Sequence, residues 1–275
     1  MKATPCGVDP KRESQFGNDM TEYGLIGKSI GHSFSATYFN EKFKLEGIDA
    51  RYDLYPLENI DLLPALVRSR PRLAGLNVTI PYKVEVMKYL DFLSEEAEAI
   101  GAVNVIKITR EGDSISMKGF NSDAYGFSES LGRILREYEL SPCENDKYPD
   151  SFVLGTGGAS KAVMWSLKKM GFHPQLVGRK RKEGCIAYED LTEQAVEQSL
   201  LTVNCTPLGT SPDVNHAAPF PYQYLHEGQV CFDLVYNPTE TLFMRKAQAR
   251  GCIVSNGLDM LHLQAAGAWR IWTEG

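Results

Sequence analysis

From Tyr23 onward, short apolar runs alternate with amphipathic stretches, the rhythm of an α/β protein. Residues 23–26 read as a strand and lead into a Gly/Ser loop. A helix carrying Tyr38, Phe39 and Phe43 follows and stops at Gly47. Tyr52 and Leu54 alternate with Arg51 and Asp53, a strand pattern. Leu62, Leu63, Leu66 and Val67 form a helical stripe, and residues 73–78 read as the next strand. Residues 102–108 and 115–118 predict a hairpin across Glu111-Gly112-Asp113. Phe127, Leu131, Ile134, Leu135 and Tyr138 then recur at helical spacing. That helix ends at Ser141-Pro142, and the polar run up to Asp150 is the best candidate linker.

Beyond it the βα alternation is more regular. Strands are predicted near 152–155, 175–178, 200–204, 230–236 and 252–255, with helices between most of them. A last helix, from Leu258 to about Trp272, has no further strand to feed and is expected to return to the first half. Residues 1–22 read as a polar extension. There are no internal repeats.

The segment Phe152-Val153-Leu154-Gly155-Thr156-Gly157-Gly158-Ala159-Ser160-Lys161 is strand, glycine turn and helix start. Such a turn brings backbone N–H groups close to a pyrophosphate, and the helix N-terminus adds the positive end of its dipole. The spacing, G-x-G-G-x-S, departs from the full dinucleotide pattern, so a plain glycine-rich βα turn is the competing reading. The next strand ends in Arg179-Lys180-Arg181-Lys182, which begins 24 residues after Gly155. A strand end that reads a free ribose offers Asp or Glu, whereas cations suit a 2′-phosphate. A solvated basic loop is the bland alternative; the position favours NADP over NAD.

The first half concentrates polar residues in short loops: Ser33-Phe34-Ser35, Asn77-Val78-Thr79-Ile80-Pro81-Tyr82-Lys83, Gly101-Ala102-Val103-Asn104 and Asn121-Ser122-Asp123. Each has a bland reading. Ser35 suits a helix N-cap, Asn77 and Thr79 suit a strand edge, Lys83 suits a solvated first helical turn, and Asp123 suits an N-cap for the Phe127 helix.

Taken in order, S-F-S, N-V-T-x-P-x-K, G-A-V-N, N-S-D-x-x-G, G-T-G-G-A-S-K-A, N-C-T-P-L-G-T, D-L-V-Y-N-P-x-x-T and G-L-D-M-L-x-x-Q-A resemble the shikimate dehydrogenase family over roughly residues 23–272. The resemblance implies two α/β domains with the site in the cleft between them: a substrate-binding domain (23–120, completed by 257–275) and a doubly wound Rossmann-type NADP-binding domain (121–256). It implies that Ser33 and Ser35 hydrogen-bond a substrate carboxylate, that Asn77, Thr79, Asn104 and Gln264 hold ring hydroxyls, and that Tyr236 lies near the carboxylate end. Lys83 and Asp123 match the family's catalytic pair. Gly155, Gly157, Gly158 and Ala159 match its pyrophosphate loop, Arg179 with Lys180 its 2′-phosphate pocket, and Thr206 and Met260 its cofactor-flanking positions. Ala36 stands where the family commonly has Pro and Ser122 where it has Thr. Gly178 replaces a common Asn, and Lys180 a Thr or Ser.

The implied reaction is the reversible reduction of 3-dehydroshikimate by NADPH to shikimate, with Lys83 managing the proton and Asp123 orienting it. Two alternatives stand beside it: a quinate/shikimate dehydrogenase using NAD, and a non-catalytic metabolite sensor on the same fold. Ser33 with Ser35, and the basic run, oppose the first; Lys83 with Asp123 opposes the second.

Composition narrows the partners. With 275 residues, 43% hydrophobic and 23% charged, the chain has a core to bury and is not disordered. A net charge of −6 argues against nucleic acid as a partner. No apolar run approaches the ~18 residues of a membrane span. The polar N-terminal 22 residues lack the apolar core of a signal peptide and read as a frayed extension. The six cysteines form no C-x-x-C pair and read as reduced thiols of a cytoplasmic protein, and the five histidines show no metal-ligand spacing. The sequence is compatible with a monomer or a homodimer.

Overall fold

The computed structural model describes residues 20–31, 33–142 and 148–274. Most of the polar N-terminal stretch, His32, Cys6, Cys143 and the middle of the linker lie outside the described residues. Two six-stranded sheets form the frame. The first contains β1 (Thr21–Gly27), β2 (Ala50–Pro56), β3 (Leu73–Val78), β4 (Phe92–Leu93), β5 (Val105–Glu111) and β6 (Ser114–Phe120), ordered β2-β1-β3-β5-β6-β4. β2, β1 and β3 run parallel, and β5 and β6 form the antiparallel hairpin that follows β3. The second contains β7 (Asp150–Leu154), β8 (His173–Gly178), β9 (Cys185–Ala187), β10 (Leu201–Asn204), β11 (Val230–Asp233) and β12 (Ile253–Ser255), all parallel in the order β12-β11-β10-β7-β8-β9. The strand order reverses between β1 and β3 in one sheet and between β7 and β10 in the other. Parallel sheets take ligands at such switch points, outside the carboxyl ends of the strands.

The helices are α1 (Phe34–Glu46), α2 (Leu63–Ser69), α3 (Glu95–Ile100), α4 (Ser122–Glu137), α5 (Gly158–Lys169), α6 (Glu193–Glu197), α7 (Leu242–Gln248) and α8 (Leu258–Thr273). The expected return of the last helix is present. Trp272 of α8 is buried among Tyr23, Phe39 and Tyr52, and its indole N–H donates to Ile106 O at 3.0 Å. At its other end α8 places Met260 in a second core with Phe127 and Leu131 of α4 and Val153 of β7. α4 and α8 thus span both halves.

Several expected boundaries move. Thr21 and Glu22 belong to β1 rather than to the extension, because their N–H groups find carbonyls of Asp49 and Arg72. Leu62 closes a 3-10 turn ahead of α2 and is largely exposed. The hairpin begins at Val105, since Ala102 and Val103 belong to a connecting loop. Tyr138 is the half-exposed cap beyond α4, so the buried stripe stops at Leu135. β11 ends at Asp233, which leaves Tyr236 in the following loop. The short strands β4 and β9 and the single-turn helix α3 carry too few residues to show a period.

Candidate active site

The loop after β1 delivers the two serines. Ser33 caps α1, accepting from Ser35 N–H at 3.2 Å, so Ser35 lies in the first helical turn rather than at the cap. Asn77 is the penultimate residue of β3, near the centre of the sheet, not at an edge. Its Oδ1 accepts from the buried phenol of Tyr52 at 2.8 Å, and its Nδ2 donates to Asn104 O at 3.3 Å. Thr79 follows directly, its N–H bonded to Ile26 O at 2.9 Å, which holds the β3 exit against β1.

Lys83 lies in the turn beyond Pro81. Its carbonyl accepts from Val103 N–H at 2.7 Å, which ties its loop to the one carrying Asn104. Its Nζ lies 2.6 Å from Asp123 Oδ2, and the two side chains are only 16% and 5% exposed. Lys83 is therefore not a solvated surface lysine. Asp123 is not the N-cap either: Asn121 caps α4, accepting from Ala124 N–H at 3.2 Å. That releases Asp123 into the first turn of α4.

Asn104 is the hub between them. Its Nδ2 donates to Asp123 Oδ1 at 2.8 Å and to Gln264 Oε1 at 3.1 Å, while its Oδ1 accepts from Ser122 N–H at 2.7 Å. With 2% of Asn104 and 3% of Asp123 exposed, the network is already desolvated. Buried polar groups satisfied this fully hold one geometry.

The opposite wall comes from the second sheet. β7 ends in the glycine turn. Gly155 has φ +105, a conformation that disfavours any side chain, and a Cβ there would meet Thr206 Cγ2 at 3.0 Å. α5 begins at Gly158 with Gly157 as its N-cap and no side chain capping it. Its first N–H groups are the orphan donors an anion would use. Gly158 has a further reason: a Cβ on it would meet Lys83 Cβ at 2.9 Å, so glycine lets the Lys83 loop pack on the turn.

After β10, Thr206 donates both its N–H (3.1 Å) and its hydroxyl (2.7 Å) to Asn204 Oδ1. Asn204 Nδ2 donates to Asp233 Oδ1 at 2.9 Å, and Asp233 also accepts from Val235 N–H and the Thr241 hydroxyl. This wholly buried carboxylate fixes the exits of β10 and β11 together. Burial pushes it up to about 6, against the three hydrogen bonds that pull it down. Burial also raises the Cys205 thiol, helped by Asp233 and Asp123, and the Tyr236 phenol.

Between the two walls lies a cavity of about 700 Å³. It brings together Ser33, Ser35, Asn77, Thr79, Lys83, Asn104, Asp123, Ala159, Thr206, Tyr236, Met260 and Gln264. Gly155, Gly157 and Gly158 are not among its lining residues. Arg179 and Lys180 are exposed beyond the end of β8, away from this cavity. Of the basic run, Arg181 is engaged by Asp190 in a bidentate pair (2.5 and 3.1 Å), and Lys182 bridges Cys185 through its backbone. Arg181 is therefore already paired, while Arg179 and Lys180, nearest the strand end, and the exposed Lys182 remain as candidates to read a phosphate. Tyr52, Ser122, Asn204 and Asp233 escape a reading of residue types, because their signal is a tertiary contact. Among the described residues no group of three His, Cys, Asp or Glu side chains is placed to hold a metal ion.

A model of the shikimate dehydrogenase substrate binding domain matches residues 25–106. A Bacillus cytotoxicus protein named shikimate dehydrogenase (NADP(+)) is 35% identical over 91% of this chain and 92% of its own length. A Clostridium beijerinckii protein of the same name is 37% identical over 93% of each chain. The chain belongs to the shikimate dehydrogenase family. A crystal structure of the Thermus thermophilus shikimate 5-dehydrogenase with NADP(H) and shikimate superposes with a TM-score of 0.77 at 31% identity, covering 92% of this chain and 94% of that one. The segment that matches the shikimate dehydrogenase substrate-domain model contains Ser33, Ser35, Asn77, Thr79, Lys83 and Asn104. Asp123 and Gln264 reach the same cavity from α4 and α8.

Proposed function

We propose that this cavity catalyses the reversible NADPH-dependent reduction of 3-dehydroshikimate to shikimate, in the biosynthesis of aromatic amino acids. The observation that carries the reading is the Lys83–Asp123 pair, locked at 2.6 Å between a wall of neutral hydroxyls and amides and a glycine turn. Residues 21–120 and 257–275 form the substrate-binding side, and 121–256 the NADP side. The turn fits the cofactor on its own evidence: Gly155 at φ +105, uncapped N–H donors at α5, and two exposed cations past β8.

When bound, the nicotinamide would supply the hydride chemistry. The chain does the rest. Ser33 and Ser35 hold the carboxylate, with Tyr236 at that end. Asn77, Thr79, Asn104 and Gln264 pair the ring hydroxyls, so analogues lacking them leave buried groups unpaired. As the carbonyl oxygen gains charge, the Lys83 ammonium stabilises it and donates a proton to it; in the reverse direction the neutral amine accepts the alcohol proton. Asp123 holds Lys83 in place and accepts a hydrogen bond from the hydroxyl of shikimate. Gly155, Gly157, Gly158 and Ala159 would offer the pyrophosphate their backbone, Arg179 and Lys180 would hold the 2′-phosphate, and Thr206 and Met260 would flank the nicotinamide.

The free thiols of Cys185, Cys205, Cys231 and Cys252 suit a reducing compartment, and we place the enzyme in the cytoplasm. No helix among the described residues is long and apolar enough to cross a membrane. The test is the rise of the NADPH absorbance band with shikimate and NADP, repeated with NAD and with quinate. A strong preference for shikimate with NADP is expected. Equal rates with quinate and NAD favour the broader dehydrogenase, and no turnover despite binding of both ligands favours a sensor.

A further inference from the structure

Among the described residues that line the cavity, only Lys83 and Asp123 carry charge, and they pair with each other at 2.6 Å. An anion held at Ser33 and Ser35 therefore meets neutral donors, and hydrogen bonds from such donors weaken steeply when misaligned. Tyr236 is a third hydroxyl at that end. It lines the cavity from the loop after β11, and its ring lies 6.3 Å from that of Phe34, the residue between the two serines. Among the described residues no group hydrogen-bonds its phenol, so ring packing is what aims it.

That packing is built from Phe34. It opens α1 directly after the Ser33 cap and is half-buried. The buried face of α1 is set by Phe39 and Phe43. Phe34, five residues before Phe39, projects about 140° from Phe39 around the helix, and it lines the cavity. Three rings meet it. Tyr38, one turn on, stacks at 5.7 Å with planes 25° apart. His262 of α8 stands perpendicular to it at 4.8 Å and also meets Tyr38 at 5.9 Å. Tyr236 meets it from the other wall with planes 62° apart. Tilted and edge-on ring pairs at such distances fix orientation as well as burying area. Tyr38 and His262 thus hold Phe34 from the first-sheet side, and Phe34 meets Tyr236 across the cleft.

We propose that Phe34 is a positioning residue for the carboxylate end. Its ring, backed by His262 and Tyr38, orients the Tyr236 ring so that the phenol donates to the anion beside Ser33 and Ser35. The S-F-S segment therefore supplies more than its two hydroxyls: its middle residue recruits a third from the opposite wall. The proposal rests on the reading of the cavity as the shikimate site.

The test is a double-mutant cycle read in steady-state kinetics. Phe34→Ala should raise the Michaelis constant for shikimate roughly three- to tenfold. That for NADP should stay within about twofold and turnover within about threefold, because neither the glycine turn nor Lys83 is touched. Tyr236→Phe keeps the ring and removes only the phenol oxygen, and should raise the shikimate constant on the order of tenfold. In the Tyr236→Phe background, Phe34→Ala should cost less than about twofold, since no hydroxyl is left to aim. A Phe34 that only supports the start of α1 would cost the same in both backgrounds. Equal costs in the two backgrounds, an unchanged shikimate constant in Phe34→Ala, or an equal rise for NADP would overturn the proposal. If Phe34→Ala does not fold, Phe34→Leu, which keeps the apolar volume, takes its place in the same comparison. Wild-type turnover is measured first. Its absence defeats the functional reading, whereas a turning-over wild type with an indifferent Phe34→Ala defeats this inference alone.

Discussion

The two walls of the cavity recognise their ligands by opposite means. The first-sheet wall works with side chains. Asn77, Asn104, Asp123 and Lys83 are held by hydrogen bonds to one another and to Tyr52, Ser122 and Gln264. The second-sheet wall works with backbone at a glycine turn and with exposed cations on a separate strand end. A polyhydroxylated ring needs donors and acceptors fixed in direction, and only buried, mutually satisfied side chains provide that. A pyrophosphate needs positive potential and close approach, which uncapped N–H groups provide without a network. Substitutions should therefore act cooperatively on the first wall and singly on the second.

The largest expected effect is at Lys83. Lys83→Ala should lower turnover roughly 10²–10⁴-fold while shikimate and NADP still bind within about tenfold. Lys83→Arg should not restore it, because arginine keeps the charge but does not release its proton near neutral pH. Steady-state rates and ligand titrations on both variants check this; near-normal turnover in Lys83→Ala would return the proton to Asp123.

Next in size is Asp233, the one place where the second wall resembles the first. Burial lifts its carboxyl to about 6 from an ordinary value of 3.8. The folded state thus holds this proton between those values while the unfolded chain releases it. Stability should therefore fall as pH rises from about 4 to 6 and level off above, by about 3 kcal/mol from this group. Denaturation of wild type and Asp233→Asn across that range should give curves that diverge with this sign. Parallel curves would mean the group keeps an ordinary titration.

On the cofactor side the effects are smaller and separable. Arg179→Ala should weaken NADP by on the order of 1.5–3 kcal/mol and leave NAD nearly unchanged. Arg181→Ala should change NADP binding by less than about threefold, because its guanidinium is held by Asp190 and is exposed, where ion pairs contribute little. Comparable losses in the two variants would show that the whole basic run reads the phosphate.

The same contrast explains what was legible in the chain. The glycine turn, β8 and the arginine after it are consecutive in sequence, so their chemistry could be read locally. Most strands and the long helices α4 and α8 were legible from periodicity for the same reason. The polar loops showed which residue types the first wall uses, and the order of the motifs showed what they resemble. Which serine caps α1 and which residue caps α4 were settled only in the fold, where Ser33 and Asn121 take those places and leave Ser35 and Asp123 to the cavity. Tyr52 reads as one more alternating strand aromatic, because its partner Asn77 lies 25 residues away in the chain. The engagement of Arg181 by Asp190 was equally invisible, since nothing in a run of four cations distinguishes its members.

The most direct test of the two-wall account is a crystal structure of the protein with shikimate and NADP bound together. One ring hydroxyl is expected within hydrogen-bond distance of both Lys83 Nζ and Asp123, with the carboxylate on Ser33 and Ser35, a ring oxygen accepting from Asn77 Nδ2, and the 2′-phosphate beside Arg179. Shikimate bound outside this cavity, or turned so that its carboxylate meets Lys83, would contradict it.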